Sequence, residues 1–188
     1  MSEHSGSTTN GVAGHDTVAA LFAAGGENGA LMAAVDWGAT SLGEPEQWPL
    51  SLRTAVSVCL ESRFPMLIWW GPELVMIYND SYRGILGAAK HPSAMGQAGA
   101  DCWPEIWDVI GPMLRGVLEE GAATWSEDQL LLLDRNVEEE ECYFTFSYSP
   151  IRDEAGGVGG VFTAVFETTE RVVGERRMRC LRELAEAR

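Results

Sequence analysis

The sequence predicts an α+β fold, in which helices cover one face of a five-stranded antiparallel sheet, with a helical cap before it and a further helix after it. Three observations support this prediction. The stretch from Phe64 to Leu86 has the pattern of strand, turn, strand and capped helix. A long helical pattern follows, and three strand-like segments come after it, joined by turn-rich connections. Sequential hairpins with one helical crossover are a favoured way to build such a sheet.

The chain before the sheet is predicted to form a helical cap over residues 17–62, preceded by a disordered tail, residues 1–16. Ala-rich helical patterns cover Thr17–Ala24 and Asn28–Val35, and a third helix is predicted over Leu50–Ser62. In the third, apolar residues recur at i, i+3, i+4, i+7 and i+8, which places them on one helical face. We expect these helices to pack on the sheet or to contact a second copy of the chain.

The hairpin itself begins with an apolar and aromatic run, Pro65–Trp70, which Gly71-Pro72 interrupts. A second run of strand length, Glu73–Tyr78, follows. Asn79, Asp80 and Ser81 then supply short polar side chains that can accept hydrogen bonds from the free amides at the start of a helix. The segment therefore predicts a hairpin that leads directly into a capped helix.

A long helix is predicted over Pro104–Glu120, because proline suits a first helical turn and the apolar residues that follow have helical spacing. Strands are predicted over Thr124–Leu133, Glu141–Ser149 and Val158–Glu167. The last two alternate cleanly, with large aromatic residues on one face of each.

This element order resembles the PAS fold of sensory domains. Asn79-Asp80-Ser81-Tyr82 resembles the Asn-x-Ala/Ser-aromatic step that opens the first helix of that family. The resemblance extends to the sensory-box domains of bacterial multidomain kinases and PP2C-type phosphatases, and it covers residues 63–169. The segments that carry it are GEPEQWPLSLRTAV, RFPMLIWWGPEL, YNDSYRGILG, WPEIWDVIGPML, TWSED and FTFSYSPIRDEAGGVGGVF.

The end of the last strand resembles the short D-I-T-type junction through which PAS domains connect to a signalling helix. Here the junction is formed by Glu167, Thr168, Thr169 and Glu170, with glutamate in place of the usual aspartate. Residues 170–188 are then predicted to form the signalling helix. Its apolar seam consists of Gly174, Met178, Leu181 and Ala185, which is the a/d spacing of a dimeric coiled coil. A terminal helix docked on its own sheet is the alternative.

Composition and charge argue against several kinds of binding partner and cellular location. The formal net charge is −15, and before Glu167 seven basic residues stand against 23 acidic ones. Such a surface repels phosphate backbones and anionic membranes, so neither nucleic acid nor membrane is an expected partner. The chain has no apolar run of membrane-spanning length, and the N-terminus lacks the pattern of a signal peptide. We therefore expect a cytoplasmic protein with free thiols.

Three residue groups are candidates for a cofactor or metal site. Cys102 lies in the region where flavin-binding light sensors carry a reactive cysteine, but the surrounding Gly-x-Asn-Cys-Arg-Phe-Leu-Gln motif of those domains is absent. Haem-binding PAS domains carry their ligating histidine on the long helix. His91 instead precedes that helix. The acidic run Glu138–Glu141 lacks EF-hand spacing and is interpreted as a solvated turn. No bound cofactor is predicted, and flavin and haem are not favoured.

A ligand pocket between sheet and helices is the remaining candidate site. One face of the strands is expected to supply its lining: Trp69, Met76, Tyr78, Trp125, Phe146, Tyr148 and Phe162. Thr145, Ser147 and Thr163 are possible polar anchors if the other face points inward. The alternative is that these aromatic residues only fill a core.

The sequence contains no Gly-x-Ser-x-Gly, Walker or kinase motif, so an enzymatic activity of this chain is not expected. The resemblance implies a sensory input module of a bacterial kinase or phosphatase, which couples a ligand or a partner to a dimeric helix. A ligand-free dimerisation scaffold is the main alternative, and a flavin- or haem-binding photosensor or redox sensor is a less favoured one.

Overall fold

The computed structural model describes residues 17–136 and 139–187, so the predicted tail and Glu138 lie outside the described residues. The helices are α1 (residues 17–23), α2 (Gly26–Ala34), α3 (Leu50–Glu61), α4 (Arg83–Lys90), α5 (Gly99–Cys102), α6 (Trp107–Glu120) and α7 (Thr169–Glu186). The strands are β1 (Met66–Trp70), β2 (Val75–Tyr78), β3 (Thr124–Leu133), β4 (Glu140–Arg152) and β5 (Val158–Glu167). Short 3-10 helices cover Trp37–Ala39, Pro45–Gln47 and Asp80–Tyr82.

The five strands form one antiparallel sheet in the order β2-β1-β5-β4-β3. The predicted α+β fold class is thereby confirmed. The connection from β2 to β3 runs from one edge of the sheet to the other, and α4, α5 and α6 lie within it. Residues 96–99 also bond to the free edge of β2, through Gly96 N–H to Met76 O, Met76 N–H to Gln97 O and Gly99 N–H to Leu74 O.

Helices lie on both faces of the sheet. On β5, Thr163 and Val165 line a cavity together with residues of α4 and α6, so this is the inner face. The neighbouring Phe162 lines a groove with α3, which therefore packs on the outer face. Because β1 lies under both layers, successive residues such as Leu67 and Ile68 are both fully buried.

The polar segment after β2 connects three parts of the fold. Asn79 accepts a hydrogen bond from Tyr82 N–H and so caps the short helix before α4, as predicted. Asp80 instead accepts hydrogen bonds from Glu27 N–H and Asn28 N–H, which places its carboxylate at the start of α2. The Ser81 hydroxyl donates to Arg63 O. Only the first of the three predicted capping residues therefore caps its own helix.

Two element boundaries differ from the prediction. The turn between β1 and β2 covers residues 71–74 rather than two residues, because Leu74 N–H bonds back to Gly71 O and the Leu74 side chain is buried. The long helix starts at Trp107, not at Pro104, because residues 104–106 form a turn in which Ile106 N–H bonds to Trp103 O.

Helix α7 extends from the domain with no buried residue in its described part. Met178, Leu181 and Leu184 are 53%, 61% and 62% exposed. Within the described ranges, none of the helices combines the length and the apolar character needed to cross a bilayer.

Candidate functional site

A small cavity lies between the inner face of the sheet and helices α4 and α6. Its volume, measured as the space open to the centre of a water molecule, is about 40 Å³, which is room for a few waters. The lining residues are Trp69, Tyr82, Ile85, Trp103, Ile106, Ile110, Leu131, Leu133, Phe144, Phe146, Tyr148, Thr163 and Val165. This lining is apolar and aromatic with a few polar atoms, the composition typical of small-molecule sites.

The register of the strands brings the aromatic residues to the cavity. Tyr148 lies opposite Thr163, and Phe146 lies opposite Val165, so these β4 and β5 residues share the inner face. The Phe146 and Tyr148 rings are 4.8 Å apart. Trp69 Nε1–H donates to Thr163 Oγ1 at 2.9 Å, which fixes the indole across β1 and β5.

Three further polar groups in the lining lack such a partner. Trp103 is 2% exposed, and its Nε1–H has no hydrogen-bond partner among the described residues. The hydroxyls of Tyr82 and Tyr148, residues that are 6% and 4% exposed, form no hydrogen bond within that part of the chain. Burial raises the pKa of both phenols, so both are neutral and able to donate a hydrogen bond at any ordinary pH.

The structure brings some of the predicted pocket residues together and separates others. Trp69, Phe146 and Tyr148 line the cavity. Met76 and Tyr78 are on the same inner face, opposite Trp69 and Leu67, but outside the cavity lining.

Trp125 and Phe162 lie on the outer face, because Trp125 is paired with Ser147 and Phe162 with Ile68 and Ser149. Trp125 is 68% exposed. Of the three possible polar anchors, only Thr163 reaches the cavity.

The two candidate cofactor ligands, His91 and Cys102, have other contacts. His91 Nδ1 lies 3.0 Å from the Tyr78 hydroxyl, and burial is the main cause that lowers the pKa of His91. Cys102 is buried at the end of α5, and burial raises the pKa of its thiol to about 12. A thiol with such a pKa is protonated and a poor nucleophile at neutral pH. Among the described residues, no group of three or more His, Cys, Asp and Glu side chains could hold a metal.

Beyond the cavity, β5 ends at the junction with α7, where Glu167 is held by Arg135. The two side chains form a bidentate ion pair with distances of 2.8 and 2.9 Å. Arg135 also bonds to Glu140, and its main-chain oxygen accepts from Ala89 N–H of α4. Burial raises the pKa of Glu167, but hydrogen bonds from Arg135 and Thr169 outweigh it, so the net pKa is lowered.

The first turns of α7 are fastened to the sheet by further contacts. Asp128, at a β-bulge in β3 with φ of 49°, accepts hydrogen bonds from the Thr168 hydroxyl and from the Arg171 guanidinium. Glu141 forms a second bidentate pair, with Arg176, at 2.7 and 3.1 Å. The Thr169 hydroxyl accepts from Tyr143 N–H and donates to Glu167.

Sequence reasoning identified the junction residues on the α7 side but missed their partners on the sheet side. In the sequence, Arg135 lies in the turn-rich connection between two predicted strands, and Asp128 lies within the predicted strand Thr124–Leu133. A weak signal existed for Asp128, since a Glu-Asp pair interrupts the β-alternation of its strand.

Comparison with known proteins identifies the family. A family model described as a PAS fold matches residues 60–173, which is more than half of the chain. The chain therefore belongs to the PAS family, whose domains are generally sensory and non-catalytic. No curated protein gives a significant match.

Solved structures to which the chain is similar include sensory-box and PAS proteins. One is a sensory box sensor histidine kinase from Vibrio cholerae, with 16% identity, a TM-score of 0.43, and coverage of 55% of this chain and 81% of that one. A second is a PAS domain from Colwellia psychrerythraea, with 14% identity, a TM-score of 0.47, and coverage of 63% and 98%. The PAS domain of Bordetella pertussis BvgS has 16% identity, a TM-score of 0.41, and coverage of 65% and 89%.

Proposed function

We propose that this chain is the sensory input module of a bacterial signalling protein, and that it couples the state of its cavity to α7. In this proposal α7 pairs with α7 of a second copy, and the N-terminal cap contributes to the same dimer. The paired helices pass the signal to a kinase or phosphatase module.

The observation that carries the proposal is the path of β5. Thr163 and Val165 form part of the cavity wall, and Glu167 follows Val165 by two residues on the same strand. Both residues that follow Glu167 bond to side-chain or main-chain groups of β3 and β4. A displacement of the inner face of β5 would therefore reach the first turn of α7 through a short, hydrogen-bonded segment.

The exposure of α7 supports its role in dimerisation. Its apolar residues Met178, Leu181 and Leu184 are all more than half exposed. An isolated helix of this length with a narrow apolar stripe is marginal in water, so pairing would stabilise it. The ion pairs of Arg171 and Arg176 leave this stripe free, because their partners lie on the sheet or at i+4 on the same helix.

The chain provides its own label site for a test. Cys180 is exposed on α7, whereas Cys59, Cys102 and Cys142 are buried. A nitroxide attached to Cys180 of the native protein would report the distance between two α7 helices by pulsed electron–electron double resonance. We expect a narrow intermolecular distance distribution, and we expect Glu167→Gln to shift or broaden it while the circular dichroism spectrum of the domain is unchanged.

Glu73→Gln is the matched control, because Glu73 is an exposed carboxylate in the β1–β2 turn, away from the junction. It should leave the distance distribution as it is. Absence of any intermolecular distance at labelling concentrations would refute dimerisation through α7. A distribution that is identical in the native protein and in Glu167→Gln would refute the coupling through this junction.

The small volume of the cavity favours a second candidate function, a ligand-free dimerisation scaffold. About 40 Å³ holds a few waters, far less than the roughly 150 Å³ that accommodates benzene in an engineered cavity. A scaffold would show the same α7 dimer, but its α7 distance would not respond to any small molecule.

A further inference from the structure

We propose that the cavity binds a neutral molecule of about one ring that carries a hydrogen-bond acceptor, such as a carbonyl oxygen, and that Trp103 Nε1–H donates to that acceptor. This inference rests on the proposed sensory function and names the ligand class that its cavity would take. It concerns binding alone and does not depend on how α7 responds.

The first observation is a buried donor without a partner in the lining. Trp103 Nε1–H is a donor only, it is buried, and it has no partner among the described residues. Leaving such a group unpaired in the interior is unfavourable, because it has lost its hydrogen bonds to water without replacement. The Thr163 hydroxyl already accepts from Trp69, so its own proton is available as a further donor.

The hydroxyls of Tyr82 and Tyr148 add two groups that can donate to the same ligand. Both tyrosines line the same small cavity. A ligand acceptor placed among these groups would satisfy the donors that the protein leaves without partners. A ligand donor could bond only to the hydroxyl oxygens of the lining, because the lining contributes no carboxylate and no amide oxygen from a side chain, and it would leave the Trp103 N–H unpaired.

The second observation concerns charge. The lining contains no Asp, Glu, Lys, Arg or His. An ion that left water for this surface would lose its hydration without a counter-charge, which is strongly unfavourable. A carboxylate or ammonium ligand is therefore disfavoured relative to a neutral one of the same shape.

The third observation concerns size and shape. The aromatic walls, Phe144, Phe146 and Trp69 among them, offer flat apolar faces to a ring. A single ring exceeds the present 40 Å³, so its entry requires a wall side chain to move outward.

Three compounds of nearly equal shape separate these features: acetophenone is neutral with a carbonyl acceptor, ethylbenzene is neutral without one, and benzoate is charged. Each would be titrated into the ¹⁵N-labelled full chain, and the indole N–H cross-peaks of its seven tryptophans would be followed by NMR. The Trp103 cross-peak is identified by its loss in Trp103→Phe. We expect acetophenone to bind most tightly and to shift the Trp103 cross-peak downfield.

Variants test the anchor, which is the residue proposed to donate to the ligand, Trp103. Trp103→Phe should weaken acetophenone binding about tenfold, the effect of losing one good hydrogen bond, and should leave ethylbenzene binding nearly unchanged. Tyr148→Phe removes a hydroxyl from the same cavity and provides a second test if Trp103→Phe does not fold. Trp125→Phe is the matched control, because this tryptophan is exposed on the outer face, and we expect no change in affinity.

Failure of acetophenone to bind at millimolar concentration would overturn the proposal, and so would equal or tighter binding of ethylbenzene or benzoate. Binding without a shift of the Trp103 cross-peak would overturn the assignment of the anchor. The sensory function is tested separately by the Cys180 distance. Binding without a change in that distance would refute the coupling and leave the site standing, whereas an intact α7 response to Glu167→Gln without acetophenone binding would refute only the ligand class.

Discussion

Replacing Asn79 with Ala is the most direct test of how the hairpin and the helix before α4 position the cavity. Asn79 is fully buried and its side chain forms four hydrogen bonds. Oδ1 accepts from Met66 N–H and Tyr82 N–H, both at 3.1 Å. Nδ2 donates to Ser62 O at 3.0 Å and to Phe64 O at 2.7 Å. One amide thus links the end of α3, the start of β1 and the turn that carries Tyr82.

The expected loss follows from these four bonds. A net contribution of about 1 kcal/mol for each gives roughly 4 kcal/mol, and access of water to the opened site recovers part of it. We therefore expect Asn79→Ala to lower the free energy of unfolding by about 3 kcal/mol. For a chain of this length that corresponds to a fall of roughly 6–12 °C in Tm.

Urea unfolding followed by tryptophan fluorescence and by circular dichroism would measure this loss. Asn79→Asp keeps the acceptor oxygen but places a carboxylate next to two carbonyl oxygens. At neutral pH it should therefore lose as much free energy of unfolding as Asn79→Ala. The loss should be smaller at acidic pH, where the protonated carboxyl group can donate a hydrogen bond. Gln129→Ala, which removes a half-exposed amide bonded to its neighbour's main chain, is the control and should cost less than about 0.5 kcal/mol. A loss below about 1 kcal/mol in Asn79→Ala would refute the reasoning that this amide joins the three segments.

Three further outcomes are expected. Ellman's reagent should modify one thiol per native chain, Cys180, and four in urea, because the other three are buried; more than one fast-reacting thiol in the native state would contradict the structure. The ion pair with Arg135 lowers the pKa of Glu167 in the folded state below that of an unfolded carboxylate. The pair therefore contributes its full stabilisation of the fold above the usual carboxylate pKa, and this stabilisation is lost as pH falls through the lowered value. The stability deficit of Glu167→Gln should therefore shrink in acid, and a deficit independent of pH would argue against the pair. Gly99→Ala should destabilise the protein by about 1–3 kcal/mol, because its Cβ would lie 2.7–2.9 Å from two tryptophan rings. Gly116→Ala on α6, where the Cβ meets open space, should stabilise it slightly. Equal effects of the two variants in thermal unfolding would contradict this packing.

The secondary structure was predictable to a large extent because its signals are local. The alternation of Glu141–Ser149 and Val158–Glu167 defined two strands, and the apolar spacing in Leu50–Ser62 defined α3 to within one residue of its end. The order of these elements, with the resemblance of their motifs, was sufficient to predict the PAS fold. The boundaries that differed, at residues 71–74 and at Trp107, depend on which side chain is buried against a distant element.

The composition of the candidate site was only partly predictable because it depends on register. Alternation shows that Phe146 and Tyr148 share a face, and that Phe162 and Phe166 share one, but not whether the two pairs share the same face. The pairing of Tyr148 with Thr163 places Phe162 on the outer face and Thr163 in the cavity. Trp103, by contrast, was visible only as a residue near a helix start, and its unpaired indole N–H emerges only when the surrounding atoms are known.

The sequence by itself determined the fold class, the order of the strands along the chain, the acidic surface and the α7 junction, because each follows from residue types at short spacing. Only the tertiary structure decided which strand faces line the cavity, that Asp80 binds the start of α2, and that Glu167 pairs with Arg135 and Arg171 with Asp128. These contacts join residues 32 to 52 positions apart, and their geometry depends on strand register and on the bulge at Asp128, which local patterns do not encode.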